Sequence, residues 1–243
     1  MIIVSPEDGR NIVRGCENRK EIPMKGFSYD GLIMSFLSKV ADLLFLNVLT
    51  LIFSIPLITI GAATTAAHYT ALKIHREEGH VWSCFWKSFK ENLKQSTGIW
   101  LIFAVYWLVS VLSYNIAVQM SGTMGTLVQG VIMATLILSA LLYAWVMPLQ
   151  ARFINPIKGT FKNAFYMAFK YFFRTLLMLL LNLLPVGTLV VIIFFIGMRG
   201  LGIWLLFGIA APIYWCAMTY DKVFEKLEEM ILANQQIEQI EEA

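Results

Sequence analysis

The feature that most constrains the fold of this chain is a series of long apolar runs. Four of them are uninterrupted, at residues 97–118, 127–147, 176–196 and 201–218. Each is close to the roughly 20 residues that a helix needs to cross about 30 Å of hydrocarbon. The connection Met198-Arg199-Gly200 between the last two runs is very short, so these two helices are expected to form an antiparallel hairpin. The pattern predicts an all-α, polytopic membrane protein.

Composition supports lipid as the solvent for most of the chain. Of its 243 residues, 58% are hydrophobic and 14% are charged, whereas a soluble domain usually has about 25% charged residues. The net charge of +3 is small and the basic residues are spread between the apolar runs, a pattern typical of membrane topology. We therefore predict the lipid bilayer, and no nucleic acid, as a partner.

The apolar region 35–72 is compatible with one long span or with two spans joined at Pro56. Proline disfavours helix at the residue before it, so a turn at Ser54-Ile55-Pro56 is physically natural. With two spans here, 18 of the 19 basic residues fall on one side and only Arg199 lies on the other. The positive-inside rule favours that arrangement. The prediction is six transmembrane helices, with five as the alternative and a short second span at residues 57–72.

This topology places both termini in the cytoplasm and makes the chain a multi-pass protein of the cell membrane. Three parts follow: a cytoplasmic extension at 1–28, a helical membrane domain at 29–220 and an acidic helical tail at 221–243. The tail has a stripe of apolar residues beside its glutamates, which is typical of an amphipathic helix. It could dock a partner, dock the basic loops of the same chain, or remain solvated.

Two cytoplasmic segments resemble each other at a spacing of 80 residues, Phe85-Trp86-Lys87-Ser88-Phe89-Lys90 and Phe165-Tyr166-Met167-Ala168-Phe169-Lys170. Both are predicted to be amphipathic helices in the headgroup region, each leading into a membrane hairpin. A duplicated unit and the ordinary aromatic and basic character of cytoplasmic connections both explain the likeness. The candidate partner-docking residues are Trp82, Phe85, Trp86, Phe89, Lys90, Phe165, Phe169 and Lys170.

Polar residues inside predicted spans are candidates for function. They are Lys39, Asp42, Asn47, Thr64, Thr65 and His68. Lys39 and Asp42 share a helix face near the membrane edge, where snorkelling and local hydrogen bonds favour a structural role. The small, threonine-rich second span is explained by close helix packing, with a polar solute path as the alternative.

The chain has no pattern of a known catalytic or metal site. The segment His75-Arg76-Glu77-Glu78-Gly79-His80 contains metal-ligating residue types, but its spacing matches neither HExxH nor paired CxxC ligands. The sequence as a whole contains neither a phosphate-binding P-loop nor a G-x-S-x-G elbow. We predict a non-enzymatic protein without a cofactor, a metal or catalytic residues.

Two segments resemble a known family. They are KVADLLFLNVLTLIFSIPLITIGAATTAAHYTALK and FWKSFKENLKQSTGIWL, and they are similar to the YesL-like family of bacterial membrane proteins (domain of unknown function 624). The resemblance extends over about residues 24–225. It implies a protein of low-GC Gram-positive bacteria, of a kind often encoded beside binding-protein-dependent oligosaccharide importers and glycan-degrading enzymes. It carries over no functional residues.

Three functions are compatible with these observations. The resemblance favours an accessory or regulatory membrane subunit of a carbohydrate ABC importer, with permease subunits as partners. The polar second span and the possible repeat suggest a small-solute transporter. The third is a membrane scaffold that promotes assembly of other proteins. The chain lacks the E-A-A-x-x-x-G loop with which an ABC permease binds its ATPase.

Overall fold

A computed structural model of the chain describes residues 29–120, 122–196, 202, 204–205 and 208–241. These residues form seven α-helices and one short 3-10 helix at Leu57–Thr59. The predicted extension at 1–28 lies outside the described residues. In chain order the helices are α1 (Tyr29–Ser54), α2 (Ile60–His75), α3 (Val81–Gln119), α4 (Thr123–Arg152), α5 (Ile157–Lys170), α6 (Phe172–Ile196) and α7 (Ala210–Glu241).

Four helices are long and apolar enough to cross a membrane. They contain the segments Met34–Ser54, Val81–Gln119, Thr123–Arg152 and Phe172–Phe195. Their large apolar side chains are widely exposed, as in Phe173 and Phe194, each more than four-fifths exposed. In water such exposure would be costly, whereas lipid solvates these side chains. The prediction of an all-helical protein with membrane-spanning helices is confirmed at this level.

The chain turns back at Pro56, where the sequence predicts a corner. Thr59 Oγ1 donates to the carbonyl oxygen of Phe53 at 2.7 Å, which closes that end of the α1–α2 pair. At the other end Lys39 Nζ lies 2.6 Å from a carboxylate oxygen of Glu77, just after α2. These two contacts make α1 and α2 antiparallel.

Helix α2 is the core of the bundle. It buries all but three of its sixteen residues and packs against α1, α3, α4 and α7. Five alanines, at 62, 63, 66, 67 and 71, are completely buried and allow the neighbouring helices to approach closely. This enclosure explains how a helix with few large apolar residues occupies an apolar environment.

The first half of α3 lies beside α2, and its second half continues past α2. The indole N–H of Trp100 donates to the carbonyl oxygen of Leu57 at 2.9 Å, so the start of α2 is level with the middle of α3. Beyond that level α3 and the first half of α4 form a two-helix hairpin, joined through Trp107 Nε1 and Ser139 Oγ at 2.9 Å. The turn uses Gly122 at φ +83°, a left-handed conformation that favours glycine.

The first predicted interfacial helix is not a separate element. The amphipathic segment at 82–94 and the predicted span 97–118 belong to one helix of 39 residues, about 58 Å long at 1.5 Å per residue. That segment contains no proline or glycine between Val81 and Thr97 to break the helix. The second predicted interfacial helix is separate, because the backbone at Tyr171 leaves the helical region (φ −114°, ψ 46°) between α5 and α6.

The C-terminal helix is continuous through the predicted start of the acidic tail. Helix α7 runs without a break from Ala210 to Glu241, so it includes the end of the predicted span 201–218 and most of the tail. The division into a membrane domain and a cytoplasmic tail at residue 221 stays a prediction. Val223, Phe224 and Leu227 are buried against the bundle, so the helix packs on it beyond Tyr220. Met230, three residues past Leu227, is exposed.

Candidate functional site

The predicted polar residues of α2 are used in packing within the bundle. Thr65 Oγ1 donates to the carbonyl oxygen of Gly61 at 2.8 Å and lies 3.0 Å from Ser96 Oγ on α3. Thr64 Oγ1 donates to the carbonyl oxygen of Ile60 at 2.9 Å. The hydroxyl of Tyr220 on α7 donates to the carbonyl oxygen of His68 at 3.2 Å. The hydroxyl oxygen of Tyr220 also lies 3.4 Å from His68 Nδ1. Each of these side chains thus joins α2 to itself or to a neighbour.

Asn47 of α1 caps the beginning of α7. Its side-chain oxygen accepts hydrogen bonds from the backbone N–H groups of Ile209 at 3.0 Å and Ala210 at 2.7 Å. Its amide nitrogen donates to the carbonyl oxygen of Leu205 at 2.6 Å. The first N–H groups of a helix have no hydrogen-bond partner within the helix. Here the completely buried Asn47, from a distant segment of the chain, provides the acceptor.

Lys39 and Asp42 lie on α1, level with the C-terminal end of α2. Lys39 pairs across the hairpin with Glu77, and Asp42 is half-buried. Lys73, at the end of α2, forms an ion pair with Glu78. The charged residues of this end therefore fasten the α1–α2 hairpin to the loop that follows it.

A buried row of uncharged polar side chains joins α3, α4 and α5. Ser88, Asn92 and Ser96 follow one another at intervals of four residues on α3, and all are at most 1% exposed. Gln150 of α4 donates to Asn92 Oδ1 at 3.2 Å, and Thr160 of α5 donates to Gln150 Oε1 at 3.1 Å. The sequence prediction missed this row, although its four-residue spacing on one helix face was visible in the sequence.

Two arginine–carboxylate ion pairs connect α7 to the ends of α2 and α4. We call these pairs, Arg76 with Asp221 and Arg152 with Glu228, the ionic seam. Arg76 Nε donates to Asp221 Oδ1 at 2.8 Å, and Arg152 Nε donates to Glu228 Oε1 at 2.7 Å. A second nitrogen of Arg152 donates to the other oxygen of Glu228 at 3.2 Å, which makes this pair bidentate. Of the alternatives for the acidic tail, the structure therefore shows docking on basic residues of the same chain.

Arg76 occupies the centre of the ionic seam. Its guanidinium also lies 3.7 Å from Glu228, and His75 Nε2 lies 3.4 Å from Asp221. Burial alone would lower the pKa of Arg76, but the hydrogen bond and the negative charge of Asp221, with Glu228 and Glu78, raise it above its ordinary value. The guanidinium therefore stays charged, and the seam needs both of its carboxylates.

The docking residues predicted on α3 are divided between the interior and the surface. Phe85 and Phe89 are buried and contact Phe53 of α1. Trp82 is exposed, and its ring stacks at 5.8 Å on the ring of Trp86, which is half-buried against Phe53. Lys90 Nζ lies 4.6 Å from the centre of the Trp86 ring. We call Trp82, Trp86 and Lys90 the tryptophan face. Phe85 and Phe89 are inaccessible to a partner, which corrects that part of the prediction.

The corresponding residues on α5 have the opposite environment. Phe165 and Phe169 are 51% and 57% exposed, whereas the matching Phe85 and Phe89 are 0% and 8% exposed. Lys170 Nζ lies 5.2 Å from the centre of the Tyr166 ring. The likeness in sequence is therefore not a structural repeat, because matching residues face the core in one copy and the surroundings in the other.

Among the residues that the structure describes, no group of three metal-ligating side chains comes together. This includes the segment 75–80. His75 instead faces Asp221 in the ionic seam. Taken together, the polar groups of the bundle serve helix packing, helix capping and ion pairing. Among the predicted docking residues, those that remain exposed are Trp82 and Lys90 of α3 and Phe165, Phe169 and Lys170 of α5.

Comparison with known proteins gives one finding. No curated protein and no solved structure matches the chain. Residues 43–116 match the family model described as "Protein of unknown function, DUF624". This segment covers the last 12 residues of α1, all of α2 and nearly all of α3. It is narrower than the range of the resemblance but includes most of the first segment that carries it and all of the second. By this match the chain carries the signature of the DUF624 family over residues 43–116.

Proposed function

We propose that the chain is a non-enzymatic accessory or regulatory subunit of a bacterial carbohydrate ABC importer. The support for the importer as partner is the association implied by the YesL-like resemblance. The observation that carries a binding role is the tryptophan face, where Trp82 is 49% exposed and its ring is already stacked on Trp86. Ordered, exposed tryptophans are typical anchors of protein interfaces, because little side-chain entropy is lost on binding.

The polar residues of α2 give less support to a solute transporter. Thr64, Thr65 and His68 motivate that alternative, yet their hydrogen bonds are made within the bundle. The alanines of α2 bring the surrounding helices into direct contact along it. A solute path along α2 would require these contacts to open.

We further propose that six helices enter the bilayer, with both termini in the cytoplasm. The corner at Pro56 and the charge distribution of the sequence support this topology. With its preceding 3-10 turn, α2 is close to the roughly 30 Å that a span requires, and its enclosure by other helices removes the need for a lipid-facing apolar surface. Helix α3 is about twice as long as a span requires, so part of it extends beyond the hydrocarbon of the bilayer.

The binding role is tested by affinity purification of the full chain at native expression. We expect permease subunits to copurify with the wild-type chain, and recovery to fall at least several-fold for the Trp82→Ala/Trp86→Ala variant. The matched control is Phe194→Ala/Phe195→Ala, which removes two exposed aromatic residues from α6 and should leave recovery unchanged. Reproducible purification of the wild-type chain without permease subunits would contradict the proposal.

A further inference from the structure

Helix α5 has the reverse of the usual amphipathic arrangement. Its protein-facing side consists mainly of small residues, with Gly159, Thr160, Asn163, Ala164 and Ala168 buried against the bundle beside the larger Met167. Its outward side carries the bulky aromatic residues and the lysines, all of them exposed: Ile157, Lys158, Lys162, Phe165, Tyr166, Phe169 and Lys170. Neither pure hydrocarbon nor pure water suits a face that mixes phenylalanine with lysine, whereas the headgroup region accommodates both.

The position of α5 in the fold agrees with that environment. Gln95 donates to the carbonyl oxygen of Asn155, just before α5, at 2.5 Å, and Phe161 stacks on Phe103 with their ring centres 5.6 Å apart. These contacts place the first turn of α5 at the level where α3 changes from charged to apolar. Lys94 is the last charged residue of α3. Helix α5 therefore lies against the polar–apolar boundary of the α3–α4 hairpin.

The charge of this region has one sign. The chain contains no aspartate or glutamate between Glu91 and Asp221, so no carboxylate of that long segment neutralises Lys158, Lys162, Lys170 or the nearby Arg174. The aromatic rings of Tyr166 and Tyr171 hold Lys170 at 5.2 and 5.6 Å, and Tyr171 also lies 5.8 Å from Arg174. On α7, Asp221 and Glu228 pair with Arg76 and Arg152 and not with the lysines of α5.

We propose that the outward face of α5 is a binding surface for the headgroups of anionic phospholipids. Lys158, Lys162, Lys170 and Arg174 would contact the phosphates, while Phe165 and Phe169 enter the upper acyl region. The inference rests on one part of the proposed membrane placement, that α3 and α4 enter the bilayer beyond Lys94, and adds a lipid class to it. Helix α5 lies outside the segment that matches the family model, so the inference concerns this chain.

The test measures which lipids the purified full-length protein retains. The wild-type chain is prepared in nanodiscs containing equal parts of phosphatidylglycerol and phosphatidylcholine, released gently and examined by native mass spectrometry. We expect preferential retention of phosphatidylglycerol. Because each basic residue near an anionic surface contributes roughly fivefold in binding, the variant Lys158→Gln/Lys162→Gln/Lys170→Gln/Arg174→Gln should lose most of that preference.

The matched control is Lys87→Gln/Lys222→Gln/Lys226→Gln, which removes three exposed lysines that belong neither to α5 nor to the tryptophan face. The control should keep the preference. Equal preference in the wild type and the α5 variant, or an equal loss in the control, would overturn the proposal. A second variant, Phe165→Ser/Phe169→Ser, should reduce retention of both lipids without removing the preference, and its failure to change either would exclude the aromatic part of the surface.

Two further measurements separate the alternatives. Displacement of phosphatidylglycerol by inorganic phosphate alone would indicate a site for a free anion and overturn the lipid assignment. Copurification of permease subunits with the α5 variant is expected to remain at the wild-type level, since the tryptophan face is intact. A lost lipid preference with unchanged copurification therefore distinguishes this inference from the importer proposal.

Discussion

At the scale of single residues, the close packing of α2 on α3 depends on a glycine at position 61. Gly61 permits the closest approach of α2 and α3. A β-carbon there would lie 2.4 Å from both the carbonyl oxygen of Ser96 and the β-carbon of Trp100. The Ser96 oxygen belongs to the helix backbone and cannot rotate away, so the two helices would have to separate.

We expect Gly61→Ala to lower the free energy of unfolding by about 1–3 kcal/mol, the usual cost of overpacking. The control is Gly98→Ala on α3, where a β-carbon has open space around it and the better helix propensity of alanine adds up to about 1 kcal/mol. Thermal denaturation of the two purified variants in the same detergent measures the difference. A Gly61→Ala protein as stable as the Gly98→Ala protein would show that α2 and α3 are not packed as described.

At the scale of elements, α7 is bound to the bundle by three kinds of contact along its length. Asn47 caps its start, Tyr220 and Phe224 pack on the core, and the ionic seam holds the part beyond Tyr220. The bidentate pair of Arg152 and Glu228 adds a contact whose geometry fixes the position of both partners.

Reversal of one charge in the seam should release this part of α7. Arg152→Glu places a carboxylate against Glu228, and we expect a loss of about 2–4 kcal/mol together with faster hydrogen exchange across residues 221–231. The double variant Arg152→Glu/Glu228→Arg restores opposite charges and should recover most of the protection. Glu225→Arg, at an exposed position on the same helix, is the control. Equal protection in the wild type and Arg152→Glu would show that the seam does not hold α7.

At the scale of the whole molecule, two hairpins are displaced along α3. The α1–α2 hairpin lies beside its first half, and the α3–α4 hairpin extends beyond the level of Trp100. Such a bundle does not have all its helices side by side across one slab. The proposed topology requires the turn at Gly122 and the loop at 76–80 to lie on opposite sides of the bilayer.

Labelling of single cysteines tests this arrangement in intact cells. In a background without native cysteines, we expect Thr123→Cys to react with a membrane-impermeant maleimide added outside, and His80→Cys to react only after permeabilisation. Both positions are exposed in the fold, so the comparison reports the side of the membrane and not burial. Reaction of His80→Cys from outside would reverse the topology, and the tryptophan face would no longer be cytoplasmic.

The all-helical architecture and most of the long apolar helices could be predicted from the sequence alone. Apolar runs near 20 residues long define spans because the thickness of hydrocarbon fixes their length. The corner at Pro56 was predictable because proline restricts its own backbone and that of the preceding residue. The amphipathic character of α5 was also visible, since helical periodicity is a local property of sequence.

Only the tertiary structure decided which face of each helix is buried and which partner each polar group has. In the fold, Asn47 caps α7 and Thr65 contacts Ser96. Arg76 lies at the centre of the ionic seam. The aromatic residues of α3 and α5 have similar spacing but opposite burial, because α2 covers one helix and the other lies at the edge of the bundle. Periodicity gives the faces of a helix, whereas the neighbour that covers a face comes from a segment distant in the chain.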